Sequence, residues 1–242
     1  MKESIVPVPT SGGPMDLHCF LPDSPTGRLP AIIVLQEAFG VTPHIRRVCR
    51  RVAEEGYAAF SPELFHRTGK GLEFGYDEFA KIRPIFASIT NAMVAEDLLA
   101  AYSHITQRPD VDLARIASWG FCFGGWASVL AACELPVAAA VSFYGGGMVN
   151  ARPGFGFTPI LDRFASIRCP LLLVYGAKDQ GITPTDIGAV TGRLKSLGKE
   201  VELEIYPNGG HGFFCEDRSA YDRGSAEAAW IRATDWLASK LG

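Results

Sequence analysis

The 242-residue sequence has no apolar run that could cross a bilayer: its longest, such as Ala31 to Leu35 and Leu171 to Tyr175, are of strand length, against the roughly 20 residues a spanning helix needs. Its first ten residues lack the basic start and apolar stretch of a secretory signal. The six cysteines (Cys19, Cys49, Cys122, Cys133, Cys169, Cys215) include no C-x-x-C pair and no paired framework, and no H-x-H, H-E-x-x-H or clustered Cys/His spacing offers a zinc site. Basic runs are missing too: 23 lysines and arginines stand against 26 acids, a net charge of -3, which excludes a nucleic-acid footprint. These absences imply free thiols in a reducing compartment and a soluble, cytoplasmic protein with no membrane or nucleic-acid partner, no metal and no cofactor. Neither a repeat, a low-complexity segment nor a break in composition marks a linker, so residues 1–242 read as one domain.

What is present is a core-building composition, 48% hydrophobic and 20% charged. Apolar runs bounded by Gly, Pro or Asp read as buried parallel strands: Ala31 to Leu35, Tyr57 to Phe60, Arg115 to Trp119, Val137 to Tyr144 and Leu171 to Tyr175. Val201 to Tyr206 alternates more and reads as a later strand. Helical patterns lie between them, at Ile45 to Glu55, Ile85 to Thr106, Gly124 to Cys133, Thr185 to Leu197 and Ala226 to Leu241. An N-terminal hairpin is expected across Ile5 to Phe20, with Gly12-Gly13 between its strands. Strands alternating with helices specify an α/β class: a mostly parallel central sheet with helices on both faces and its ligand site beyond the carboxyl ends of the strands. The Gly-rich stretch from Gly145 to Gly156 reads as a loop bordering that site.

Within this order, Gly120-Phe121-Cys122-Phe123-Gly124 sits between a strand and a helix. The G-x-C-x-G pattern suits a nucleophile on a tight strand-to-helix turn, where flanking side chains would collide with the backbone. The helix N-terminus favours a thiolate at Cys122, and the Phe123 amide can face a developing oxyanion. The same pattern can also hold an inert buried cysteine. Asp179 follows the strand Leu171 to Tyr175 through a glycine turn, where it is either the acid of a triad or a turn cap. His211 follows Pro207-Asn208-Gly209-Gly210, and of the five histidines only it lies on a glycine loop after a strand, the place of a base. Glu37, at the end of the first central strand, is either catalytic or half of a structural ion pair. The Ala38 amide after it is the second candidate oxyanion donor.

Gln36-Glu37-x-Phe39-Gly40-Val41, Gly120-x-Cys122-x-Gly124-Gly125, Asp179 and Gly209-Gly210-His211, in this order, resemble the dienelactone hydrolase family of the α/β-hydrolase superfamily over nearly the whole chain. The resemblance implies cysteine-based hydrolysis of an enol-lactone such as dienelactone to maleylacetate, a step in the degradation of chlorinated aromatics. It assigns Cys122, Asp179 and His211 to the triad and makes Glu37 the group that takes the thiol proton when substrate arrives. Dienelactone-specific members carry a carboxylate-binding arginine four residues after the catalytic histidine; here that residue is Cys215, and Arg83 and Arg218 are the candidates to supply the charge. Phe39, Phe123 and Tyr144 are expected to line an apolar pocket. The expected partner is a small lactone or ester, and the expected state a monomer or weak homodimer. The alternatives are a broad carboxylesterase or thioesterase and, from another class, a non-catalytic binding or redox-sensing protein that uses Cys122 as an oxidisable thiol.

Overall fold

Every residue of the run Ala139–Phe143 is buried, which requires cover on both faces of the strand. The computed structural model describes residues 1–23 and 27–242 and shows how that cover is supplied. Eight strands, β1 (Lys2–Val8), β2 (Met15–Leu21), β3 (Leu29–Leu35), β4 (Ala58–Pro62), β5 (Val111–Phe121), β6 (Ala139–Phe143), β7 (Leu171–Gly176) and β8 (Val201–Tyr206), form one sheet in the order β1-β2-β4-β3-β5-β6-β7-β8. β2 runs antiparallel to both its neighbours, and all other pairs are parallel. The helices are α1 (Pro43–Glu54), α2 (Phe79–Ser88), α3 (Asn91–Thr106), α4 (Phe123–Glu134), α5 (Pro184–Ser196) and α6 (Arg223–Leu241), with a 3₁₀ turn at Leu161–Ser166. This is the α/β-hydrolase architecture, a mostly parallel sheet between helices.

Two adjacent residues of β5 show the two layers. Trp119 stacks on Trp230 of α6 at 5.2 Å between ring centroids, whereas the Ser118 hydroxyl meets that of Ser128 of α4 at 2.8 Å. Successive side chains of a strand point to opposite faces, so α6 and α4 cover opposite sides. α1 joins α6 through Arg51, whose guanidinium lies 3.7 Å from the Trp230 ring centroid. Trp119, Trp126, Phe121 and Phe143 are among the largest side chains fully withdrawn from water, each contributing about 2–3 kcal/mol by burial. At the edge, β8 exposes Leu203 and Ile205, which explains its alternating pattern. No helix among the described residues is long and apolar enough to cross a membrane.

The N-terminal hairpin forms as expected, with Gly13 at φ 101° in its turn. The single helix expected over Ile85 to Thr106 does not form. α2 starts earlier, at Phe79, and ends at Ser88; α3 begins after Thr90, whose side chain accepts from the Met93 amide at 3.3 Å as an N-cap. The break is held from outside. Asn91 exchanges two hydrogen bonds with the backbone of Thr158, and the Gly156 amide donates to the Phe86 carbonyl at 2.8 Å. The Gly-rich loop after β6 thus docks at the break and turns α2 toward the carboxyl end of the sheet.

Sheet and helix approach most closely at the start of α4. A Cβ on Gly120 would lie 1.8 Å from the Gly124 carbonyl oxygen, and one on Gly124 would lie 2.2 Å from that of Leu35. Both obstacles are backbone and cannot swing aside. Gly120→Ala is therefore expected to cost at least about 3 kcal/mol in urea unfolding. Gly188→Ala, in α5 with nothing near the new Cβ, is expected to raise stability by about 0.5–1 kcal/mol. Equal effects of the two substitutions would contradict this account of the turn.

Candidate active site

Cys122 stands between β5 and α4 at φ 55° and ψ -112°, a conformation that costs a non-glycine residue about 1–3 kcal/mol. The turn is held by hydrogen bonds from the Cys122 amide to the Phe143 carbonyl and from the Gly125 amide to the Cys122 carbonyl, both 3.0 Å. The thiol is thereby lifted clear of the strand and half-buried at the floor of a cleft.

Two loops bring its partners. After β7, Asp179 folds back so that its Oδ1 accepts from the amides of Gly181 at 2.8 Å and Ile182 at 3.1 Å, leaving Oδ2 free to turn elsewhere. After β8, the Gly209-Gly210 loop is tied to the β7 loop by the Lys178 amide donating to the Gly209 carbonyl at 2.8 Å. His211 Nδ1 then meets Asp179 Oδ2 at 2.7 Å, and Nε2 meets Cys122 Sγ at 3.2 Å. Tyr144, itself at φ 40°, packs edge-on to the imidazole at 5.3 Å between centroids. It is wholly buried and lies outside the cleft wall, so the expectation that it lines the pocket is corrected: it supports His211 instead.

Glu37 leaves β3 with no solvent exposure, and its Oε1 accepts from Arg218 Nη1 at 3.1 Å. No hydrogen bond joins Glu37 to Cys122 among the described residues. Arg218 reaches Glu37 across Gly212, where any Cβ would strike the guanidinium, and its charge lies over the rings of Phe39 at 5.5 Å and Tyr76 at 5.7 Å. Of the two arginines singled out in the sequence, Arg218 is in the cleft; Arg83 is exposed on α2 beside Gly154 and does not line it. Cys215 is buried, donates to the Tyr76 hydroxyl at 3.1 Å and is also outside the cleft wall.

The cleft, about 190 Å³, is walled by Phe39, Phe79, Phe86, Phe123, Phe155 and Phe157, with Ala38, Cys122 and His211 at its base and two cations, Arg218 and Arg152. Arg152 was not picked out from the sequence, nor were Phe79, Phe86, Phe155 and Phe157. Arg152, Phe155 and Phe157 belong to the Gly-rich loop or its end, which the sequence marked only as bordering the site. Phe79 and Phe86 arrive because α2 is a separate helix.

Charge around the thiol is graded. Burial opposes ionisation of Cys122, but the facing His211 charge and hydrogen bond outweigh it and draw the thiol below its ordinary range. Burial likewise disfavours imidazolium, yet the Cys122 charge and the Asp179 hydrogen bond push His211 up to about 10. Burial would raise Asp179, but bonds from His211 and the two amides hold it below the usual carboxylate range. Glu37 is the exception: burial leaves its proton affinity raised even with Arg218 alongside. A thiol drawn toward ionisation beside an oriented imidazole, under an apolar wall with cations, is an arrangement suited to acyl transfer.

Residues 15–241 match the family model described as the dienelactone hydrolase family. A provisionally named carboxymethylenebutenolidase of Synechocystis sp. is 34% identical over 217 residues, covering 89% of this chain and 88% of that protein. One of the same provisional name from Salmonella typhimurium is 32% identical over 246 residues, 100% of this chain and 89% of the relative. The crystal structure of a provisionally named dienelactone hydrolase from Klebsiella pneumoniae superposes with a TM-score of 0.87 at 32% identity over 98% of each chain. The chain belongs to the dienelactone hydrolase family, hydrolases that act on esters or lactones.

Proposed function

We propose that this protein hydrolyses an anionic enol-lactone of the dienelactone type to its open acid, with Cys122 as nucleophile, His211 as base and Asp179 as orienter. The observation that carries the reading is the unbroken chain Asp179–His211–Cys122, at 2.7 and 3.2 Å, opening into a cleft that holds Arg218 and Arg152. The relatives' name, carboxymethylenebutenolidase, supports the substrate class and, through it, a place in the degradation of aromatic compounds.

The Cys122 thiolate attacks the lactone carbonyl while the amides of Phe123 and Ala38, both on the cleft wall, receive the oxyanion. Phe123 opens α4, so its amide has no acceptor within the helix. Collapse of the adduct breaks the ring C–O bond, the enolate takes the proton held on His211 and a thioester remains. An alkoxide is a poorer leaving group than the thiolate, which favours reversal with ordinary alkyl esters. An enolate competes, which suits an enol-lactone to a cysteine nucleophile. Acylation removes the thiolate charge that chiefly holds the His211 proton, and burial then favours neutral imidazole. Neutral His211 can take a proton from water, whose attack on the thioester releases the acid and restores the thiolate beside a protonated His211. Where Cys122 is still protonated when substrate arrives, the substrate carboxylate draws Arg218 off Glu37, and burial then makes Glu37 the better acceptor for the thiol proton.

The six phenylalanines of the wall favour a second reading, a carboxylesterase for neutral activated esters. Steady-state kinetics on dienelactone and p-nitrophenyl acetate separate the two. Cys122→Ala is expected to abolish turnover of both; full retained activity would sink the nucleophile assignment. Arg152→Leu, which removes a cation hydrogen-bonded to the Gly181 carbonyl, is expected to raise KM for dienelactone at least about tenfold while leaving the neutral ester unchanged. Equal effects on both substrates, or a wild-type preference for the neutral ester, would favour the esterase.

The ion pair has its own pH signature. A thiol with a lowered pKa stays ionised as pH falls below the ordinary range near about 8.5, and its imidazolium partner is lost as pH rises through about 10. Alkylation of Cys122 by iodoacetamide, followed by mass spectrometry of its peptide, is expected to remain fast below that ordinary range. In His211→Ala the lowering charge is gone and burial remains, so the midpoint should move above it; an unchanged midpoint refutes the pairing.

A further inference from the structure

Behind the cleft, Glu37 meets two residues that the hydrolytic cycle does not use, His44 and Cys215. One ligand atom each from Glu37, His44 and Cys215 lie within 4.8 Å of one another, and all three residues are buried. Glu37 spends one oxygen on Arg218; its other oxygen, Oε2, is buried without a hydrogen-bond partner. His44 Nε2 is buried and unpartnered as well, while the Tyr144 hydroxyl lies close to the Glu37 carboxylate and the Thr42 hydroxyl close to that of Tyr76. Buried polar groups ordinarily find partners, and two ligand atoms of one cluster left unpaired, Glu37 Oε2 and His44 Nε2, point to something they hold in common.

We propose that Glu37, His44 and Cys215 form a buried binding site for one divalent cation of the zinc class. One carboxylate, one imidazole and one thiol make a mixed oxygen, nitrogen and sulfur set suited to zinc or cobalt(II) and unsuited to magnesium or calcium, which take oxygen throughout. Zinc bonds of about 2.0–2.3 Å require the three atoms to draw in from their present spacing. His44 Nε2, buried with no hydrogen-bond partner, is free to serve as the nitrogen ligand. Coordination by Cys215 requires its thiolate, so binding must release the thiol proton to solvent. A dication with one carboxylate and one thiolate is neutral, which tolerates the Arg218 charge retained on the other Glu37 oxygen. Neither His44 nor Cys215 lines the cleft, and the site does not depend on Cys122 being a nucleophile.

Because Cys122 and His211 could bind a thiophilic ion themselves, the test uses reduced, chelator-stripped Cys122→Ser protein. Cobalt(II) titration is expected to give one equivalent bound, with a near-ultraviolet thiolate-to-cobalt charge-transfer band. Adding Cys215→Ser should abolish the band, and adding His44→Gln should weaken binding at least tenfold, with circular dichroism checking that each variant is folded. X-ray absorption of zinc-loaded Cys122→Ser protein, which needs no further substitution, is expected to report one sulfur in the first shell. No charge-transfer band, a band that survives Cys215→Ser, or a shell without sulfur overturns the proposal.

Discussion

The turn at Cys122 is the constraint on which the rest of the site depends. A cysteine held at φ 55° presents its sulfur outward only if the strand behind it and the helix ahead close tightly. That closure leaves no room for a side chain at Gly120 or Gly124, whose added Cβ atoms would fall within 1.8 and 2.2 Å of carbonyl oxygens. The strain is borne by the parallel pairing of β5 with β3 and β6, which fixes the level at which the strand ends. Because β7 and β8 end in register with their neighbours, the loops carrying Asp179 and His211 emerge on the same side of the sheet.

Charge is balanced at two depths. Near the cleft, Cys122, His211 and Asp179 alternate in sign, and each stabilises the ionised form of the next. Deeper, Glu37 and Arg218 form a pair whose carboxylate is wholly removed from water. A buried carboxylate with a single arginine partner is only partly compensated, which accounts for its raised proton affinity. Glu37 lies between the cleft and the His44–Cys215 cluster, so charge added on either side is felt on the other.

Several features were not legible because they are decided by contacts between distant segments. The break between α2 and α3 has one local signal, the N-cap Thr90, and an apolar pattern that reads straight through it; its other supports, Thr158 and Gly156, lie well over 60 residues further along the chain. Arg152 carried no motif, and it enters the cleft because its loop docks at that break. Arg83 and Arg218 were indistinguishable candidates from the sequence, and helix geometry leaves Arg83 exposed while the turn after Cys215 aims Arg218 at Glu37. Tyr144 sits next to cleft residues in the chain, but its positive φ directs the ring beneath His211.

The sequence by itself determined the α/β class, the alternation of strands with helices outside the α2–α3 break, and the positions of Cys122, Asp179 and His211, because each follows a local rule: apolar runs bounded by turn residues, glycines where backbones touch, polar residues placed just after strand ends. Tertiary structure alone decided which cations face the cleft, which aromatic rings wall it, and that Glu37 pairs with Arg218 and borders His44 and Cys215. Those outcomes depend on side chains brought together across the fold, where burial and pairing act over a few ångströms of space and sequence spacing carries no record of them.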